Sequence, residues 1–317
     1  MIDRKPIIAV VGATGAQGSG LVHAILADPE QRFSARAITR DPNSPAAREL
    51  AALGAQVVAA DVADETSLER AFSGAEAVFC VTFFWAHLSP KKEIAHAQNQ
   101  ARAAKRAGLR HVIWSTLEDT RRFVPLSDAR MPTLMGEYKV PHFDAKGACN
   151  SIFAELGVPT TYLYTSFYWE NLIYFGLGPK RRLDGTLAFT LPMGNAKLPG
   201  IGVEDIGRSA YALFQRGAAM VGKSVGIAGE HLSGSEMAEA LSRALGEPVL
   251  HDDIAPETFR AFAFPGAEDL GNMFQFKRDF EQEFCARRDV QASRELNPGL
   301  RTFAEWLALN ARRIPIG

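Results

Sequence analysis

Ile7-Ile8-Ala9-Val10-Val11 runs directly into Gly12-Ala13-Thr14-Gly15-Ala16-Gln17-Gly18, and the reading of this junction decides the fold. Five apolar residues closed by glycine read as a fully buried strand. The alanine- and leucine-rich stretch from Gly18 to Ala27 reads as a helix. A strand that turns through glycines into a helix gathers free backbone N–H groups and the positive end of the helix dipole at one point, which suits a pyrophosphate. Gly12 is expected to allow the tight turn, Gly15 to let a ligand approach the backbone, and Gly18 to let the helix pack close to the strand. Thr14, Ala16 and Gln17 then line the same turn. The spacing is G-x-x-G-x-x-G rather than G-x-G-x-x-G, so its place in the chain counts as much as the glycines themselves.

Outward from this turn, Phe33–Thr39 reads as a second strand ending at Arg40-Asp41-Pro42. An acid here would hold adenosine ribose hydroxyls, whereas a guanidinium fork suits a 2′-phosphate. Arg40 therefore points to NADP(H), with NAD(H) second because Asp41 follows; the alternative is a solvated loop arginine. A helix through Ala46–Leu53 and a strand at Gln56–Ala60 lead to Asp61, which either accepts from the adenine amino group or begins a turn. Ala75–Val81 is a fourth strand. Thr82-Phe83-Phe84-Trp85 follows it, either at the crevice of a parallel sheet or as core under a loop. Helix formers span Pro90 to Ala107, and His111–Trp114 is a fifth strand that delivers Ser115 and Thr116 to the same edge. Five such alternations predict the α/β class, a Rossmann-type doubly wound parallel sheet covered by helices on both faces.

The 317 residues suffice for a large core plus a smaller lobe, and a net charge of −1 gives no reason to expect nucleic acid or an acidic membrane as partner. No apolar run approaches the roughly 18 residues of a membrane span. Met1 to Pro6 leads straight into the first strand and leaves no room for a cleavable signal. Cys80, Cys149 and Cys285 are odd in number and far apart, which favours a reducing cytoplasm and neither disulfides nor a metal site.

Leu117 to Val140 is charged, irregular and proline-containing, as a loop over a cleft would be. Pro141 then opens a helix through about Leu156 that carries His142-Phe143-Asp144-Ala145-Lys146-Gly147, with Lys146 one turn after His142. Thr160–Thr165 is a sixth strand, and Tyr168, Trp169 and Asn171 follow where cofactor or substrate could be touched; Trp169 serves equally well as packing between lobes. The division expected is 1–165 for the dinucleotide domain, with some later segments returning to it, and 166–317 for a smaller α+β lobe. Within that lobe lie a strand at Leu187–Thr190, helices at Val203–Gln215 and from Ser233 to Leu245, and a last helix at Phe303–Arg312. Ser233 with Glu236 and Thr302 with Glu305 form capping-box patterns. Phe276, Phe280 and Phe284 fall at helical spacing and read as core or a dimer-facing stripe.

The chain resembles the NmrA-like branch of atypical short-chain dehydrogenase/reductases, in particular its HSCARG-type NADP(H)-sensing members. The resemblance rests on Gly12–Gly18, Val81-Thr82 with Trp85, His142–Gly147, Phe167–Leu172 and Phe264–Phe274. Typical short-chain enzymes use Y-x-x-x-K, in which tyrosine transfers the proton and lysine lowers its pKa and holds the ribose. Lys146 is present, the tyrosine position is His142, and no Y-x-x-x-K occurs anywhere. Ser115 stands near the place of the usual catalytic serine.

The resemblance leaves three readings for Lys146, His142 and Ser115. Lys146 holds cofactor ribose in a protein that reports NADP(H) to a regulatory protein partner. Alternatively Lys146, with His142 or Ser115, supplies the proton in an NADPH-dependent reduction of a small aromatic carbonyl, quinone or aryl-ether substrate. In the third, a residue from the C-terminal part completes the site.

Overall fold

The computed structural model describes residues 5–316. Met1 to Arg4, on which the expectation about a leader rests, lie outside the described residues. The elements that build the first half alternate as β1 (Ile7–Val11), α1 (Ala16–Leu26), β2 (Ser34–Thr39), α2 (Pro45–Ala52), β3 (Gln56–Ala59), α3 (Glu65–Phe72), β4 (Ala77–Cys80), α4 (Pro90–Arg106), β5 (His111–Thr116), α5 (Pro141–Glu155) and β6 (Thr160–Tyr164). The seven-stranded sheet has the order Ser224–Gly226, β6, β5, β4, β1, β2, β3, and β1 runs parallel to both β2 and β4. Ala9, Val11, Val78, Cys80, Val112 and Trp114 face a core completed by α3, α4 and α5. Ile8 and Val10 are equally buried and point the other way, as period-two alternation in a sheet covered on both faces requires. On that side α1 meets the helix Val203–Arg216 so closely that a Cβ at Gly207 would stand 2.1 Å from the Gly20 carbonyl carbon.

The chain forms two compact units, each made of several segments; the expected boundary is at 165/166, with some later segments returning to the first. One unit comprises the chain up to Asp119, Ala145–Tyr164 and Ile206–Val225; the other comprises Thr120–Asp144, Thr165–Asp205 and the chain from Gly226 onward. The cause is topological. Ile206–Val225 returns to pack on α1 and to supply the strand beside β6, whereas Thr120–Asp144 leaves the sheet edge altogether.

The second unit holds two three-stranded sheets, ordered Glu230–Leu232, Leu198–Ile201, Phe167–Tyr168 and Val249–Asp252, Leu187–Thr190, Lys180–Arg181. Both expected capping boxes form, Ser233 with Glu236 and Thr302 with Glu305. Trp169 is buried there, its ring centroid 5.3 Å from Phe303 and 6.1 Å from Trp306. The phenylalanine stripe is core. Phe276 and Phe284 are buried, Phe276 and Phe280 both pack edge-on against Phe123, and the helix breaks at Phe280 into Ala267–Asp279 and Glu281–Arg287. The basic run at Lys180 is a short exposed strand, with Arg181 paired to Glu247 at 3.0 Å and Arg182 to Asp252 at 2.8 Å. Among the described residues no helix is long and apolar enough to cross a membrane.

His111, on β5, gives the first unit a pH dependence. Thr161 Oγ1 donates to the Met220 carbonyl at 2.7 Å, so His111 Nε2, 2.8 Å from the same oxygen, must be the donor. Its Nδ1 is buried without a hydrogen-bond partner, and burial lowers the imidazole pKa to about 4. The unfolded chain takes up this proton near 6.5 and the folded one only near 4. Stability is therefore lost as pH falls through that window, by on the order of 3 kcal/mol in total from this group. Urea denaturation of the wild type and of His111→Gln between about pH 7 and about pH 4.5 is expected to show a shallower slope for the variant.

Candidate functional site

The sheet order places β1 beside β4, the position at which an open α/β sheet reverses and its crevice opens at the carboxyl ends of the strands. Gly12 opens the turn there in the left-handed region, φ 64°, and a Cβ on it would lie 3.3 Å from Val81 Cγ1. The turn is pinned by Ala13 N donating to the Ile38 carbonyl at 3.1 Å and Gly15 N to the Gly12 carbonyl at 2.8 Å. Gly18 has the role expected of it: a Cβ would fall 2.3 Å from the Gly12 carbonyl oxygen and 2.9 Å from Ala13 Cα. At Gly15 the crowding is internal to the turn, since a Cβ there would stand 3.2 Å from the Gly12 oxygen. Ser44, Asp64 and Ser89 cap α2, α3 and α4 with their side chains, but no side chain caps α1. Its N-cap, Gly15, has no side chain to do so, and the turn is exposed at Thr14, Gly15 and Ala16. These features fit a diphosphate.

Around the turn, Arg40 is exposed just beyond β2. Asp61 shapes the turn into α3, its Oδ1 accepting from Ala63 N at 2.9 Å. Gln17 is buried, and its side-chain oxygen accepts from the Ser115 hydroxyl at 2.8 Å. Past β4, Gln100 brackets Val81, accepting from its N–H and donating to its carbonyl, each at 3.2 Å.

Lys146 lies in this same unit and has a defined set of partners. Its ammonium donates to the Thr82 carbonyl at 3.0 Å, the Thr82 hydroxyl oxygen at 2.6 Å and Glu93 Oε1 at 2.6 Å. Glu93 is 0% exposed. Burial alone would push its carboxyl up, but the adjacent Lys146 charge and the hydrogen bonds from Lys146 and Thr82 outweigh this and hold it below the usual range. Its second oxygen faces His87 Nε2 at 3.4 Å without a hydrogen bond, and burial lowers the His87 pKa. Neither Glu93 nor Gln100 stood out in the sequence. Glu93 sits in the first turn of a helix, where an acid is ordinary dipole chemistry, and only its complete burial distinguishes it.

His142, Tyr168 and Asn171 belong to the second unit. His142 Nδ1 lies 2.7 Å from Asp269 Oδ1, and its backbone N–H donates to Asp269 Oδ2 at 3.2 Å, so one buried carboxylate both caps the start of α5 and orients the imidazole. Asp269 is in the Phe264–Phe274 stretch, and the pairing with His142–Gly147 was the signal that could have found it. The Tyr168 hydroxyl shares a hydrogen with Thr165 Oγ1 at 3.2 Å, and Asn171 begins a single helical turn, Asn171–Tyr174. Leu117 to Val140 is not a loose cover. Asp144, 0% exposed, accepts from Thr120 N and Oγ1 at 2.7 and 2.6 Å and from Lys139 N and Val140 N at 2.8 and 3.1 Å. Among the described residues no group of three or more His, Cys, Asp and Glu could hold a metal ion.

The NmrA-like family model matches residues 4–307. The chain belongs to the NmrA-like family. Its relatives in that family include an oxidoreductase of Penicillium ochrochloron, 26% identical over 97% of this chain and 98% of that one. An NAD(P)H azoreductase of Xenophilus azovorans is 30% identical over 79% of this chain and 78% of its own. Among solved structures, NmrA, a negative transcriptional regulator, in complex with NADP superposes with a TM-score of 0.77 at 25% identity, covering 96% of this chain and 95% of that one. The family thus contains both a named regulator and named oxidoreductases.

Asp144 gives this geometry a direct check. Asp144→Ala would strip the acceptor from four buried or half-buried donors, and is expected to destabilise the protein by about 3–5 kcal/mol in chemical denaturation.

Proposed function

We propose that this NmrA-like protein binds a nicotinamide dinucleotide, NADP(H) ahead of NAD(H), and acts as a cofactor-responsive regulator with little turnover. The first-turn N–H groups of α1 would hold the diphosphate, Arg40 the 2′-phosphate, and Lys146 with Val81 and Thr82 the region past β4. Supporting this is NmrA, at 25% identity and in complexes with NADP and with NAD. When bound, NADPH supplies a hydride; a reductase must in addition supply a proton.

The observation that carries the low-turnover reading is the state of Lys146. An ammonium has three N–H donors, and here each has an acceptor in the protein. Ser115 is likewise committed to Gln17, and His142 Nδ1 to Asp269. With the Y-x-x-x-K tyrosine missing, no candidate stands as a ready proton donor. The protein would report its cofactor to a partner protein in a reducing, cytoplasmic setting, in keeping with three free cysteines.

A reductase is the second reading. It is favoured by the named oxidoreductase relatives and by Phe83, a large aromatic left 58% exposed just past β4 beside Trp85. Small carbonyl, quinone, aryl-ether and azo compounds are its substrate classes.

Two measurements test these readings. In titrations, Arg40→Ala is expected to weaken NADP(H) by about tenfold or more while changing NAD(H) little, because only the former has a phosphate for the guanidinium; equal losses would remove Arg40 from this role. In a panel of quinones, enones, aryl ethers and azo dyes, NADPH absorbance is expected to stay constant. Steady loss that Lys146→Ala abolishes would replace the regulator with the reductase.

A further inference from the structure

We propose that Glu93 is the positioning residue of this site: its buried carboxylate holds the Lys146 ammonium and the Thr82 hydroxyl together and fixes where Lys146 stands. The connection to cofactor rests on the dinucleotide reading above; the hold on Lys146 does not.

The argument is geometric. Glu93 Oε1 accepts from both Lys146 Nζ, at 2.6 Å, and Thr82 Oγ1, at 2.5 Å, while Lys146 also donates to Thr82 Oγ1 and to the Thr82 carbonyl. The three groups therefore form a closed ring in which Thr82 passes its one hydroxyl hydrogen to Glu93 and receives one from Lys146. Thr82 directly follows Val81, which Gln100 clamps on both backbone groups, so the ring is anchored to the end of β4. The charged and titratable groups around it are His87 and His96, whose rings lie 5.3 Å apart, Lys92, and Cys149 on α5. Glu93 is the one carboxylate hydrogen-bonded to Lys146 in this unit among the described residues. To meet a ribose hydroxyl Lys146 would give up one of its two bonds to Thr82, while the bond to Glu93 fixes its position.

Labelling of lysines by isotopic acetic anhydride in the ligand-free protein, read by peptide mass spectrometry with exposed Lys91 as internal reference, tests this. Wild-type Lys146 is expected to label slowly. Glu93→Gln, isosteric but uncharged, is expected to raise its rate relative to Lys91 by about tenfold, with Glu93→Asp restoring most of the protection. Unchanged labelling in folded Glu93→Gln overturns the proposal. Should that variant fail to fold, as judged by circular dichroism, Thr82→Val breaks the same ring at its neutral member. It is expected to raise labelling by about threefold, and no change there overturns the proposal as well. NADPH titration of the same proteins separates the two readings. A labelling contrast without NADPH binding to the wild type supports the hold of Glu93 and removes the dinucleotide. NADPH binding without a labelling contrast keeps the dinucleotide and removes Glu93.

Discussion

The first helix begins where it does because Gly18 carries no side chain. A Cβ there would stand only 2.3 Å from the Gly12 carbonyl oxygen, well inside contact distance, and Gly12 reverses the chain in the left-handed region to make that approach. Every other feature of the candidate site depends on this contact. It sets the uncapped end of α1 at the carboxyl edge of β1, adjacent to β4, and brings Gln17 within hydrogen-bonding distance of Ser115 on β5. A helix normally carries a capping side chain at its N-cap, as its three successors do, whereas Gly15 has none to offer. Leaving one open where strands diverge is the usual physical solution for an anion.

The polar groups around that turn are spent on one another. Ser115 is tied to Gln17, Lys146 to Thr82 and Glu93, and Val81 to Gln100. Satisfied buried networks are rigid, and a half-satisfied one is costly, so the groups resist being drawn into proton transfer. The same economy of partners gives a binding site a fixed shape. What separates a regulator from an enzyme on this scaffold is then the freedom of its polar side chains more than their identity.

The sheet was legible because it depends on local patterns. The apolar runs at Ile7–Val11, Gln56–Ala59 and Thr160–Tyr164, the helix caps and the two capping boxes are each written within a few residues, and they appear within one or two residues of where the patterns place them. That later segments return to the first domain is part of the sequence reading, but which segments they are was not legible. Nothing local at Ile206–Val225 announces that Gly207 will press on Gly20. The site was legible to the same degree. Gly12, Gly18 and Lys146 belong to motifs, but Glu93, Gln100 and Asp269 become visible only when burial singles them out from ordinary helical acids and amides.

Thr120–Asp144 shows how a composition that reads as a loop can carry rigid structure. Its charges and prolines exclude a regular element but do not exclude buried polar anchors. Asp144 gathers Thr120, Lys139 and Val140, the Lys139 ammonium donates to the carbonyls of Asp128 and Met131 at 2.7 Å each, and Asn272 and Gln275 reach from Ala267–Asp279 to the carbonyls of Pro132, Lys139 and Arg130. Lifting this segment as a lid would expose or orphan every one of those groups at once, at about 1–3 kcal/mol for each that finds no replacement. A segment so held is a wall. A response to the proposed cofactor would therefore have to lie in parts of the fold with fewer buried polar ties than Thr120–Asp144 has.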